Sequence, residues 1–76
     1  MKEFDEVVEE YVNFLNKRIE EGYKVKMKDK QVKRVELVKN KRGMITQYIV
    51  VVDYHDGKSE VMKATAFMEK LVNVER

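Results

Sequence analysis

Apolar residues recur at three- and four-residue intervals over 4–21, where Phe4, Val7, Val8, Tyr11, Leu15 and Ile19 fall on one side of a helical wheel and Val12 and Phe14 widen the stripe. The spacing predicts an amphipathic helix. Acidic residues gather at its amino end and Lys17 and Arg18 at its carboxyl end, as the helix dipole favours. Gly22 supplies the stop, because glycine enters the left-handed conformation that ends many helices.

From Tyr23 the period changes to two. Tyr23, Val25 and Met27 alternate with Lys24, Lys26 and Lys28, the pattern of a half-buried strand with one lysine face. Asp29-Lys30 is read as a turn, Val32 to Val38 as a second strand, and Asn40-Lys41-Arg42-Gly43 as a hairpin loop. Ile45 to Tyr54 carries four consecutive β-branched residues, Ile49-Val50-Val51-Val52, which place apolar groups on both sides of a strand and mark it as central. Asp56-Gly57 suits a two-residue type I′ turn into a short strand, Lys58 to Met62. Ala64, Phe67, Met68, Leu71 and Val72 return to helical spacing and predict a closing helix to about Asn73. The fold class expected is therefore α+β: an N-terminal helix, a four-stranded antiparallel meander and a C-terminal helix, forming one domain over 1–76.

These turns predict pairings of Met27 with Val32, Val35 with Ile49, and Val52 with Val61. The inner face would then carry Tyr23, Val25, Met27, Val32, Val38, Tyr48, Val50, Val52, Tyr54 and Val61 beneath the first helix. The outer face would hold an apolar stripe of Val35, Leu37, Ile45, Ile49, Val51 and Met62. Such a stripe needs a cover, either the closing helix or another chain, because soluble monomers rarely expose large apolar patches. A one-residue slip in any hairpin would exchange the faces.

Composition narrows the picture. With 76 residues, 43% hydrophobic and 39% charged, the chain has material for one small core, and small cores commonly lean on a cross-link, a metal or a partner. Cysteine is absent, which removes disulfides and thiolate sites and fits a reducing compartment. No apolar run has the length of a membrane span and no basic-then-apolar leader opens the chain, so a soluble cytoplasmic protein is expected. A homodimer or another protein on the outer stripe is the leading expectation for a partner.

Net charge is only +2, but it is unevenly spread. Half of the acids precede Gly22, whereas Lys24, Lys26, Lys28, Lys33, Lys39, Lys41 and Arg42 crowd the next segment. The alternative reading is non-specific binding of the RNA or DNA backbone by these side chains, five of them on the outer face and two on a hairpin tip. Base recognition has no obvious agent, since Tyr48 and Tyr54 fall on the inner face and lysine lacks the arginine fork. Gly57-Lys58-Ser59 leading into Lys63-Ala64 and a helix is superficially similar to the carboxyl-terminal part of the double-stranded RNA-binding domain. That family's lysine cluster at the start of its last helix has no counterpart, because Glu60, Val61 and Met62 stand between Lys58 and Lys63.

Catalytic chemistry finds little material. His55 is the only histidine and Ser59 the only serine, and no phosphate loop, zinc motif or nucleophile-base arrangement can be assembled. Asp53, His55 and Glu60 are the one cluster whose predicted register would converge on a cation. No enzyme and no cofactor are expected.

Overall fold

The computed structural model describes all of residues 1–76 and is α+β. Helix α1 (Phe4–Glu20) is followed by strands β1 (Lys24–Met27), β2 (Lys30–Arg42), β3 (Ile45–Tyr54) and β4 (Ser59–Lys63), a short helix α2 (Ala64–Met68) and a short strand β5 (Asn73–Glu75). The sheet is antiparallel, in the order β4-β3-β2-β1-β5.

α1 ends as the sequence predicts. Gly22 takes φ 92°, its N–H donates to the Ile19 carbonyl, and the Tyr23 N–H donates to the Arg18 carbonyl. This is the Schellman pair of bonds, which satisfies carbonyls the helix would otherwise leave open. The helix buries a narrower stripe than its periodicity suggests. Val8, Val12 and Leu15 are core, while Phe4, Val7 and Phe14 are exposed because the sheet is the only large surface α1 meets. Phe14 instead supports the Arg18 guanidinium, 5.2 Å from its ring centre.

The turns decide the sheet, and each differs from its predicted form. Lys28 and Asp29, both at positive φ, turn β1 into β2 and pair Met27 with Lys30 rather than Val32. β2 continues to Arg42, because Gly43-Met44 closes the hairpin with Gly43 at φ 60° in the first central position, as in a type II′ turn. The third connection is a three-residue loop, His55-Asp56-Gly57. Gly57 N–H donates to Tyr54, Tyr54 N–H donates to Lys58, and only Gly57 has positive φ, so Asp56-Gly57 is not a type I′ pair.

A bulge adds a fourth departure. Register shifts between Val32 and Arg34, so that Val32 lies opposite Tyr54 and Val35 opposite Val52, and both valines face inward despite being three residues apart. Val35 and Leu37 therefore join the inner face instead of the outer one, with Leu37 opposite Val50, and Val38 goes out beside Ile49. The extra loop residue before β4 turns that strand over as well. Met62 pairs with Val50 on the inner face and Val61 pairs with Val51 on the outer face.

One core results: Val8, Val12 and Leu15 from α1, Val25, Met27, Val32, Val35, Val50, Val52 and Tyr54 from the sheet, and Ala64 and Phe67 from α2. The Tyr11 and Phe67 rings approach to 5.8 Å between centres, so the two helices are neighbours on the same side of the sheet. α2 stops at Met68, short of the predicted Asn73. Its last turn is tightened by Glu69 N–H to Ala66 and Lys70 N–H to Phe67, and Leu71, beyond it, is 80% exposed. The chain instead lays Val74 beside Val25, giving β1 a partner for its main-chain groups. No helix is long and apolar enough to cross a membrane.

Candidate functional site

Because α1 and α2 share the inner face, nothing in the chain covers the other. Its composition follows from the register. Successive cross-strand rows read Ser59, Asp53, Arg34; then Val61, Val51, Glu36; then Lys63, Ile49, Val38; then Gln47 and Asn40. The apolar members form a diagonal, Val61-Val51-Ile49-Val38, with Lys63 on one flank and Glu36 on the other. Val61 is 65% exposed and Val38 38%, while Ile49 and Val51 are half-buried by their neighbours. Ile45 stands apart, exposed near the hairpin tip.

Of the six residues predicted for the outer stripe, Ile45, Ile49 and Val51 lie there. Val35 is 1% exposed and belongs to the core, and Leu37 and Met62 pack against it. Their misplacement has one cause, an odd register shift in each of two hairpins. Val38 and Val61, assigned inward from sequence, take their places outside. The signals for this were present: an apolar spacing of three at Val32 and Val35, and Gly43 at a position where a two-residue turn accepts glycine first.

The basic segment is not one surface. Lys24 and Lys26 lie on the outer face, and Lys26 reaches Glu75 of β5 at 3.3 Å. Lys28 sits in the first turn and binds Glu60 at 2.7 Å. Lys33 is in the bulge. Lys39 lies opposite Tyr48 on the inner side and approaches Glu9 of α1 at 3.8 Å, so the predicted outer placement of Lys39 does not hold. Lys41 and Arg42 are paired strand residues just before the tip, not loop residues, and neither meets an acid.

The Asp53, His55 and Glu60 cluster is also divided. Asp53 stays on the outer face and accepts a hydrogen bond from the Ser59 hydroxyl, whereas Glu60 points inward with β4 turned over. No group of three carboxylate or imidazole side chains is placed to hold a metal ion. Glu60 instead joins β3 to the first turn. It accepts from Lys28 at 2.7 Å and from the Tyr54 hydroxyl at 2.8 Å. Lys28 first and Tyr54 second hold its carboxyl below the usual range. Burial, reinforced by Glu60, pushes the Tyr54 hydroxyl up to about 12.

A second feature lies along β2. β1 pairs with it only at Lys30 and Gln31, so the rest of that edge, from the bulge to Arg42, has no strand beside it. Asn16 of α1 fills one position. Its carboxamide oxygen accepts from Val35 N–H at 2.9 Å and its amide nitrogen donates to the Val35 carbonyl at 2.7 Å. A side-chain amide thus completes the pair of bonds that a neighbouring strand would make. Beyond it, Glu9, Asn13, Val35, Leu37 and Lys39 line an open groove of about 470 Å³ between α1 and β2. Nothing in the sequence marks Asn16, since one polar residue on a helix face carries no signal of a strand edge beside it.

Set against known proteins, the chain matches no family model, no curated protein and no solved structure.

Proposed function

We propose that the chain is a small non-catalytic binding module that pairs with a second copy of itself through the outer sheet face, in the cytoplasm. The observation that carries this reading is the placement of both helices on one side of the sheet. It leaves the diagonal Val61-Val51-Ile49-Val38 open to solvent. An uncovered aliphatic stripe on a core this small is a cost that a partner removes.

The arrangement of charge favours a second copy over an unrelated chain. In a two-fold interface each patch meets itself. An axis laid along the diagonal brings Val61 and Val38 onto their own counterparts, sets Ile49 of each copy against Val51 of the other, and exchanges the flanks, so that Lys63 of each copy meets Glu36 of the other. Lys63 has no acidic partner within its own chain, and Glu36 has only Arg34, at 3.8 Å. Durable interfaces bury ~800 Å² per partner. Four aliphatic side chains cover less than that, so pairing is weak and its orientation rests on the flanking charges.

Ile49→Lys tests the reading, since the change sets two ammonium groups into one desolvated seam. Association should fall at least tenfold, about 1.4 kcal/mol, in light scattering over a concentration series. Circular dichroism should show the fold retained, because Ile49 contributes nothing to the core. A parent chain that stays monomeric at millimolar concentration overturns the proposal.

A further inference from the structure

The β2 edge offers a different kind of site from the outer face and stands independently of pairing there. In an antiparallel ladder, main-chain groups point alternately toward and away from the neighbouring strand. Val35 turns its N–H and C=O away from β3, to Asn16. By that alternation Leu37, Lys39 and Lys41 turn theirs the same way, Leu37 and Lys39 into the groove and Lys41 beyond it, along an edge where no strand pairs. Proteins usually blunt or cover such an edge. Here one residue's worth is closed by Asn16, and the loose Lys39–Glu9 contact at 3.8 Å is the only ion pair across the rest.

Donors and acceptors repeating at every second residue of a strand match the main chain of another polypeptide. A compact ligand has no use for that repeat. The Asn16 carboxamide, chemically a peptide group, already occupies the first position of the series. Charge selects further. Lys41 and Arg42, further along β2 toward the hairpin tip, meet no acidic side chain of this chain, while Glu9 offsets Lys39. We propose that the β2 edge from Leu37 to Lys41 accepts an extended segment of another protein as an added strand, and that this segment carries an acidic side chain beside Lys41. The mode is β-strand addition, in which main-chain bonds give affinity and side chains beside the strand give selectivity.

The probe is a set of nine-residue peptides selected against the full chain from a displayed random library, then titrated into the ¹⁵N-labelled protein. The amides of Leu37, Lys39 and Lys41 and the Asn16 side-chain amide should shift, and exchange at those three backbone amides should slow at least tenfold. Glu36, Val38 and Asn40, already bonded to β3, should change little. Methylating alternate peptide nitrogens should abolish binding in one phase and spare it in the other, because only one edge of an added strand is bonded. Selection repeated on a Lys41→Glu variant should lose the acidic preference. Failure to enrich any peptide, shifts confined to Val51 and Val61 on the outer face, or equal tolerance of both methylation phases overturns the proposal.

Discussion

Replacing Asn16 probes whether a side-chain amide holds the β2 edge. Its two hydrogen bonds to Val35, at 2.7 and 2.9 Å, are of good length and partly buried, and each contributes ~0.5–1.5 kcal/mol net. Asn16→Ala removes both. The groove is open, so water reaches the freed groups and the full penalty for burying them unpaired does not apply. Alanine also returns ~0.5 kcal/mol through its better helix propensity. The expected loss is therefore ~1 kcal/mol, or a fall in Tm of roughly 4–8 °C for a domain of this size. Thermal unfolding followed by circular dichroism measures it. Asn16→Asp sharpens the test, because a carboxylate still accepts from Val35 N–H but faces the Val35 carbonyl without a proton to donate. Asp should be worse than Ala at neutral pH. It should recover as the pH falls and its carboxyl, whose folded pKa is raised by that carbonyl, takes up a proton. If Ala is neutral or stabilising and Asp shows no such recovery, Asn16 does not bond the edge as described.

Phe67 is fully buried between the helices, and Phe67→Ala should cost ~3–5 kcal/mol, comparable to the whole stability of so small a core; a largely unfolded variant by circular dichroism is expected, and a folded one would show that α2 is dispensable. Glu60 supplies a pH dependence. Its folded pKa is depressed by Lys28 and Tyr54, so its contribution is complete above the ordinary carboxylate range and is lost as pH falls through the lower folded value. Glu60→Gln should flatten that acid limb in urea titrations at a series of pH values, and an unchanged limb would count against the Lys28-Glu60-Tyr54 network.

Local chemistry is readable from the residues directly, whereas register rests on slighter signals, the Val32–Val35 spacing and the place of Gly43. The α1 helix, the glycine stop at Gly22 and the lysine-valine alternation of β1 each rest on signals within a few residues and appear in the fold as expected, although α1 buries only part of its apolar stripe. Asn40, Lys41 and Arg42 look like loop because they are polar. They remain strand because the hairpin tip projects past β4, whose pairing ends at Ile49–Lys63, where polar side chains suit both faces. One extra residue in the loop at His55 and one in the bulge near Lys33 then decide which side each valine takes. With a side-chain period of two, either slip turns a strand over. Half of the expected outer stripe is unaffected, since Ile45, Ile49 and Val51 belong to the central strand, whose outer face is the one the pattern predicts. The other half changed sides: Val35, Leu37 and Met62 are inner residues, and Val38 and Val61 complete the diagonal. α2 is shorter than its spacing predicts for a different reason. Leu71 and Val72 have helical spacing, but the pairing of Asn73–Glu75 with β1 satisfies main-chain groups that a longer helix would leave open.

The most direct measurement of the two-fold pairing uses two charge reversals and their mixture. Glu36→Lys gives a copy with lysines at both 36 and 63, and Lys63→Glu gives a copy with glutamates at both. In the proposed interface each variant meets only like charge when it pairs with itself, and only opposite charge when it pairs with the other. Both positions are exposed and outside the core, so the folds should be unaffected. Sedimentation velocity should show the parent in concentration-dependent dimerisation, each variant alone as a folded monomer, and the equimolar mixture restored to dimer. Variants that associate as well as the parent, or a mixture that remains monomeric while the parent dimerises, would contradict pairing along the Val61-Val38 diagonal.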